Sequence, residues 1–228
     1  MKAGIHGALL ITFILFAAGC SLEYKLKFDA RLPLTPAARP IPLHVGVHYS
    51  QEFVEYTKKV ELIGCGPSGR RDKMGILFIF PVGTASRDVF DQVIASMFAT
   101  VTTASGPSRS LGETSPIDGL LEPQIESFDW DTTCSNDYFS HWKSTARVSY
   151  VINLYNSLDG HLVASMHVEG KSILLKPKVC FMSRDCDESL GAAQAIQDAI
   201  AMFMIDFYEQ PEVKKWISSH VSASGNHQ

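Results

Sequence analysis

Two segments of alternating apolar and polar residues, joined by a tight turn, constrain the fold of this chain most strongly. In residues 148–154 and 162–168, every second residue is apolar. Between the segments, Asp159-Gly160 supplies the positive φ that a tight hairpin turn needs. The pattern therefore predicts a β-hairpin with one face in the core. That face carries Val148, Tyr150, Ile152, Leu154, Leu162, Ala164, Met166 and Val168.

Four further segments have the patterns of strands. Residues 24–29 alternate and indicate an edge strand, and residues 43–49 indicate a half-buried strand. Residues 75–80 are continuously apolar, which favours a central strand covered on both faces. Residues 120–131 indicate a strand with an edge or a bulge at Pro123, because proline donates no ladder hydrogen bond.

Two segments carry apolar residues at helical spacing, and each predicts a helix that packs one face on a sheet. The first follows Pro81 and has Thr84 or Ser86 as its cap, and the second is capped by Asp187. Pro211 ends the second helix or starts a further turn. The sequence thus predicts an α/β (α+β) fold with a single mixed or antiparallel sheet and two main helices. The apolar positions are Val89, Phe90, Val93, Ile94, Met97, Phe98 and Val101, then Ile196, Ala199, Ile200, Phe203, Met204 and Phe207.

The first twenty residues have the layout of a secretory signal, with Lys2, an apolar run over residues 8–18, and small residues before Cys20. The run is too short to span a bilayer as a helix. It resembles the bacterial lipobox, with Ala17 where leucine is more frequent. This resemblance implies that Cys20 is lipidated and that Ser21 directs the protein to the outer membrane. An ordinary signal peptide that ends near a cysteine, or an uncleaved anchor, is the alternative.

These features divide the chain into four parts. Residues 1–19 are predicted to be the lipoprotein signal peptide. Residues 20–41 are predicted to be the lipid anchor and a Pro-rich stalk, because prolines favour extended backbone. Residues 42–217 are predicted to form the periplasmic α/β domain, and residues 218–228 a disordered tail.

Four cysteines remain after cleavage at Cys20, and an even number favours disulfides in an oxidising periplasm. Cys180 and Cys186 flank a short loop and are the natural local pair, which leaves Cys65 to pair with Cys134. Zinc is the competing interpretation, but no Cys-x-x-Cys and no paired histidines accompany these cysteines. We therefore expect neither a metal nor a cofactor.

The charge and the motifs argue against most chemistries. The formal net charge is −4 without a run of Lys and Arg, so nucleic acid is not an expected partner. Residues 64–69, GCGPSG, match the glycine pattern of a dinucleotide site, but a predicted strand follows them, so we interpret them as a loop. Asp129 and Asp131 lie about 7 Å apart on one strand face. Because glycosidases use carboxylates near this spacing, a hydrolase stays a less favoured hypothesis.

Aromatic residues are concentrated between residues 128 and 142. Most of them are expected in the core, but Trp130 and Trp142 form a candidate binding surface, since exposed indole rings stack on sugars or on protein. Binding of a glycan or of peptidoglycan is therefore the alternative function that the sequence supports.

The element order, with the segments PVGTASRDVFDQVIASMF and STARVSYVINLYNSLDGHLVASMHVEG, resembles a group of periplasmic lipoproteins. The group includes the TolB amino-terminal domain, PelC, LpoB, YajG and the soluble part of the curli channel CsgG. The resemblance covers residues 43–208 and implies a sheet on which a last helix packs. It implies a cell-wall synthase, a polysaccharide exporter or another assembly machine as the partner. A CsgG-like pore is disfavoured, because no segment is left for its membrane-inserting hairpins.

The expected function is that of an outer-membrane lipoprotein that is lipid-anchored and faces the periplasm. We expect a non-enzymatic accessory or assembly factor that works through protein contacts in the cell envelope. The membrane, through the anchor, and another envelope protein are the expected partners. Peptidoglycan or a polysaccharide is the alternative partner.

Overall fold

The computed structural model describes residues 22–27, 30, 39–65, 71–106, 117–134, 142–176 and 188–224 of the 228-residue chain. These residues form eight strands and four helices. In chain order they are β1 (Leu22–Lys25), β2 (Ile41–Val47), α1 (Gln51–Glu55), β3 (Lys58–Cys65), β4 (Arg71–Phe80), α2 (Val82–Met97), β5 (Phe98–Thr103), β6 (Gly119–Cys134), β7 (Trp142–Asn156), β8 (Leu162–Lys176), α3 (Glu188–Glu209) and α4 (Pro211–Ser224).

The strands form two sheets, so the prediction of a single sheet is wrong, whereas the mixed α and β class is confirmed. The smaller sheet has the order β1-β4-β3 and the larger one the order β5-β2-β6-β7-β8. Parallel pairs join β1 to β4, and β2 to both β5 and β6, while the other pairs are antiparallel. The split follows from the length of β6. Its 16 residues pair with β2 only at residues 119–121, and its far end lies beside β3.

The predicted hairpin is formed by β7 and β8, which pair from Trp142↔Lys176 down to the turn. Gly160 in the turn has a φ of 65°, and the Asp159 carboxylate accepts a hydrogen bond from His161 N at 3.1 Å. The predicted core face is buried except for its first β8 residue, Leu162, which is exposed next to the turn. The alternation of the sequence therefore predicted which face of the hairpin meets the core.

Helix α3 covers the buried face of this hairpin, and the contact depends on Gly170, which has no side chain. A Cβ on Gly170 of β8 would lie 2.0 Å from Ala195 O and 2.4 Å from Ala199 N. Strand and helix therefore touch through their backbones, and a larger residue in place of Gly170 has no room.

Two polar side chains of α3 also bind β8. Ser172 Oγ donates to Gln194 Oε1 at 3.0 Å, and Lys171 N donates to Asp198 Oδ2 at 3.0 Å. β8 is the last strand in the order of its sheet, so its outward N–H groups face no further strand in the described part of the chain. The Asp198 carboxylate satisfies one of them.

Helix α2 begins directly after Pro81, and no side chain caps it. Ser86 lies inside the helix, where its hydroxyl donates to Val82 O at 2.7 Å. The prediction that Thr84 or Ser86 caps this helix is therefore wrong. The cap that was predicted for α3, Asp187, lies outside the described residues.

Strand β5, helix α1 and strand β3 are absent from the sequence prediction. The helical pattern included Phe98 and Val101, but residues 98–103 are mostly threonine, valine and phenylalanine, which favour a strand. Helix α1 is short and is capped by Ser50, whose side chain accepts a hydrogen bond from Phe53 N at 3.0 Å.

Strand β4 is the central strand of the smaller sheet, as predicted, but it is not covered on both faces. Among residues 73–80, for which burial is described, only the last residue, Phe80, is fully buried. The register between β3 and β4 shifts between Glu61 and Ile63, and Gly75 opposite this shift has a φ of 65°. This irregularity is a β-bulge, and it leaves Met74 exposed at the surface.

At both ends the fold extends beyond the predicted domain of residues 42–217. Leu22–Lys25 are paired with β4 and Ala30 is buried, so these described residues of the predicted stalk belong to the fold. At the other end, the predicted disordered tail of residues 218–228 is helical as far as Ser224. Within the described ranges, no helix is both long enough and apolar enough to cross a bilayer.

The contact at Gly170 predicts that Gly170→Ala lowers the free energy of unfolding by about 1–3 kcal/mol or more, because the new methyl group meets helix backbone that cannot rotate away. Urea unfolding followed by circular dichroism measures the change. Glu169→Ala, at the exposed neighbouring position, is the control and stays within about 0.5 kcal/mol of the wild type. Equal stability of the two variants would contradict the close packing of α3 on β8.

Candidate functional site

A cavity of about 290 Å³ lies at the carboxyl end of β2. The cavity lies along one edge of β6, in the stretch that has no described strand beside it. This stretch begins after residue 121, where the pairing with β2 ends, and it ends near Asp129, which is paired with Lys58 of β3. Helix α1, which connects these two strands, closes the gap. The lining consists of His48, Ser50, Glu52, Phe53, Tyr56, Glu122, Pro123, Gln124 and Ile125.

Pro123 is compatible with the lack of a described strand partner at this edge of β6, because it has no backbone N–H to donate. Leu121 O accepts a hydrogen bond from His48 N at 2.9 Å, so the backbone of Leu121 faces β2. Residues two apart in a strand face the same edge, and the missing N–H of Pro123 therefore falls where β2 has ended. The predicted edge at Pro123 is confirmed locally, although β6 is an inner strand of the larger sheet.

The lining of the cavity combines aromatic and polar groups. Phe53 is buried and Tyr56 is half-buried, and Gln124 adds an amide. Glu52 and Glu122 bring two carboxylates, and no lysine or arginine lines the cavity within the described residues. Such a lining suits a small neutral or cationic polar group and disfavours an anion.

A polar network beside the cavity fixes the β2–α1 connection to helix α2. The Tyr49 hydroxyl donates to Asp91 Oδ1 at 2.8 Å, and Arg87 Nε lies 3.6 Å from Asp91 Oδ2. The Arg87 guanidinium also lies 5.7 Å from the centre of the Tyr49 ring. Burial, with the Asp91 carboxylate beside it, raises the pKa of Tyr49. Tyr49 therefore stays protonated at neutral pH and serves as a hydrogen-bond donor, not as a base.

A second hydroxyl pair, Ser86 and Tyr150, lies inside the core at 2.6 Å. The Ser86 hydroxyl already donates to a carbonyl within α2, so Tyr150 donates to Ser86. Burial raises the pKa of Tyr150. The pair joins α2 to β7 and has no access to a substrate, so it stabilises the fold rather than acting as a nucleophile and base.

The two aspartates that were considered for hydrolysis are exposed on β6. Asp129 Oδ1 lies 3.4 Å from Lys58 Nζ, an ion pair between β6 and β3. Asp131 Oδ1 accepts a hydrogen bond from the backbone N–H of Thr132 at 2.8 Å. Both carboxylates have structural partners, and neither lines the cavity.

Trp130 is buried, with 6% of its surface exposed. Its ring centre lies 5.6 Å from that of Phe78 and 5.5 Å from that of Phe80, so it joins the two sheets. The prediction that Trp130 belongs to a binding surface is therefore wrong. Trp142 is the first residue of β7, opposite Cys134 in the register, and the surface role of its ring stays a prediction.

Cys65 and Cys134 are the last residues of β3 and β6. Two residues before them, Thr132 Oγ1 donates to Ile63 O at 3.3 Å, so the two strand ends are neighbours. This arrangement agrees with the predicted Cys65–Cys134 disulfide, which remains a prediction.

The other predicted sites lie outside the described residues: Cys20, Ser21, Cys180, Cys186 and most of the glycine-rich segment of residues 64–69. In the ranges that are described, no group of three His, Cys, Asp or Glu side chains could hold a metal ion.

The outer face of α3 is a feature that the sequence analysis missed. Met202, Ile205 and Tyr208 follow each other at a spacing of three residues and are exposed. Burial against neighbouring groups raises the pKa of Tyr208, so its hydroxyl is neutral. The signal was present in the sequence, because Met202, Ile205 and Tyr208 are large apolar residues outside the predicted stripe, but only the stripe was interpreted.

Comparisons with known proteins give no family. No protein-family model matches the chain, and no curated protein matches it. The membership of the chain in the TolB and CsgG group therefore stays a resemblance.

Solved structures do match, and they include bacterial lipoproteins. Protein XCC0632 from Xanthomonas campestris is 14% identical, with 90% of this chain and 97% of that chain covered and a TM-score of 0.39. A Helicobacter pylori protein described as a homolog of a neuraminyllactose-binding hemagglutinin is 9% identical, with 86% and 100% covered and a TM-score of 0.45. Lipoprotein GNA1162 from Neisseria meningitidis is 10% identical, with 72% and 99% covered and a TM-score of 0.33. Identities and TM-scores this low transfer no function to this chain.

The burial of Trp130 predicts that Trp130→Ala costs about 3–5 kcal/mol of folding free energy, because the two sheets lose the ring between them. Urea unfolding measures the loss, and Asp129→Asn, at the exposed neighbouring position, is the control. A stable Trp130→Ala variant that loses retention on purified peptidoglycan would contradict the core assignment and restore the glycan hypothesis.

Proposed function

We propose that this chain is a lipid-anchored protein of the bacterial outer membrane, facing the periplasm, and that it works by contact with another envelope protein without catalysing a reaction. The anchor is supported by the apolar segment that ends in small residues before Cys20. Ser21 supports the outer membrane as the destination.

The observation that carries the contact role is the exposed apolar face of α3, which consists of Met202, Ile205 and Tyr208. Three large apolar side chains in one row are typical of a helix that docks into an apolar groove of a partner. Helix α3 is also held firmly from behind, because its other face packs on β7 and β8. A rigid helix presents such a row without a large entropy loss on binding.

Three of the described side chains that could support catalysis are engaged in structural contacts. Asp129 is paired with Lys58, Tyr49 with Asp91, and Tyr150 with Ser86. This engagement supports a role in contact rather than in chemistry.

A photo-crosslinking residue, p-benzoylphenylalanine, in place of Ile205 tests the contact in intact cells. Leu190 is the matched control, because it lies on the same helix and is exposed to a similar degree, 41% against 48% for Ile205. At about 1.5 Å per residue, the two positions are roughly 22 Å apart along the helix. We expect irradiation to join position 205 to one envelope protein, identified by mass spectrometry, and to leave position 190 without that product.

Ile205→Glu provides the complementary measurement. A carboxylate in an apolar groove loses the contact, and we expect recovery of the identified partner to fall about tenfold or more. Leu190→Glu is the control and keeps recovery near the wild-type level. Identical crosslinking at positions 190 and 205, or full recovery with Ile205→Glu, would rule out this face of α3 as the contact surface.

The anchor predicts a separate outcome for Cys20→Ala. Without the thiol no diacylglycerol thioether forms, so we expect no incorporation of labelled palmitate and an accumulation of unprocessed precursor. Ser21→Ala is the control, because it leaves the acceptor thiol in place. Normal processing and lipid labelling of the Cys20→Ala variant would overturn the lipoprotein assignment.

A further inference from the structure

The start of β1 lies near the end of the molecule at which β4 begins and β3 ends. Leu22 pairs with Ile76, the sixth of the ten residues of β4, and Lys73, three residues earlier in β4, lies opposite Ile63 near the end of β3. Through the contact between Ile63 and Thr132, the end of β6 lies beside them. We call this end of the molecule the β1 pole.

The larger sheet reaches the same pole. Cys134 of β6 lies opposite Trp142 of β7, which lies opposite Lys176 of β8. The turn that joins β7 to β8 marks the other end of the molecule. Because β7 has 15 residues at about 3.3 Å each, the turn lies roughly 45 Å from the β1 pole.

The covalent chain ties this pole to the anchor. A single residue, Ser21, separates Cys20 from Leu22, and two residues of extended chain span at most about 7 Å. Because Leu22 is paired in the sheet, a lipid on Cys20 would hold the β1 pole close to the bilayer.

The pole carries an apolar side chain in a suitable place. Met74, next to Gly75 in the β4 bulge, is 41% exposed and lies two residues from Ile76, the partner of Leu22. Methionine is flexible and apolar, so it fits the disordered boundary between headgroups and acyl chains. Lys73 beside it is paired with Glu61 at 2.6 Å, so the local charge is balanced and does not repel either kind of headgroup.

We propose that the β1 pole is a membrane-contact surface, in which Met74 inserts at the headgroup boundary of the phospholipid leaflet that holds the anchor. The proposal rests on the lipidation of Cys20 in the proposed function. It goes beyond that function in fixing the orientation of the folded domain. The hairpin turn of β7 and β8 points away from the membrane, into the periplasm.

The experiment uses the lipidated full chain in vesicles of phosphatidylethanolamine and phosphatidylglycerol, with and without brominated acyl chains. The fluorescent residue dansylalanine replaces Met74 in one sample. In a second sample it replaces Leu158, which is 67% exposed in the distant hairpin turn and serves as the matched control. We expect brominated lipid to quench the probe at position 74 at least twofold and to leave the probe at position 158 unchanged.

A spacer variant makes the test sharper. A Gly/Ser insertion of about 20 residues between Ser21 and Leu22, with a root-mean-square span of roughly 25 Å, releases the pole from the membrane. We expect it to keep the protein on the vesicles and to reduce quenching at position 74 to the level at position 158.

Flotation of the vesicles separates the two ways in which the proposal can fail. If the lipidated chain does not float with the vesicles, the anchor fails, and with it both the proposed function and this orientation. If the chain floats but the probes at positions 74 and 158 are quenched equally, the orientation alone is overturned. If the probe at position 74 is still quenched in the spacer variant, the proposed orientation is also overturned, because the short link between Cys20 and Leu22 would then not cause the quenching.

Discussion

The backbone contact between β8 and α3 at Gly170 is the constraint on which the rest of the structure depends. Because the helix lies directly on the strand, its small residues face the hairpin, and larger ones, Phe203 and Phe207, reach past it. Phe203 packs against Phe90 of α2, and Phe207 packs against Phe98 of β5. One glycine thus allows a single helix to join the hairpin, α2 and the parallel part of the larger sheet in one core.

The same arrangement separates the surfaces of the molecule. With one face of α3 committed to the core, the apolar residues of its other face are left at the surface, where Ile205 is the most exposed of them. The smaller sheet lies beside the far half of β6, away from β2, and Trp130 joins the two sheets there. The apolar face of α3 therefore belongs to the part of the fold built on the larger sheet, and the start of β1 belongs to the smaller sheet.

The sequence was most informative where a pattern had a single structural meaning. Strict alternation with Asp159-Gly160 fits a hairpin alone, and the structure has it. Phe98 and Val101 fit a helix and a strand equally well, and the structure resolved them as β5. Burial of Trp130 and the division into two sheets depend on which strands become neighbours of β6, and this long-range choice leaves no local pattern in the chain. The outward residues of α3 are visible in the sequence, but large apolar residues on both faces of its second half do not show which of them stay exposed.

The hydrogen bond from Lys171 N to Asp198 affects how two copies of this chain could meet. A long outer strand such as β8 offers backbone groups to which a second copy could pair edge to edge. A carboxylate that already occupies a donor in the middle of that strand interrupts the row of groups a second copy would need. This single carboxylate therefore makes edge-to-edge pairing through the middle of β8 less favourable, because a second copy would first have to displace it.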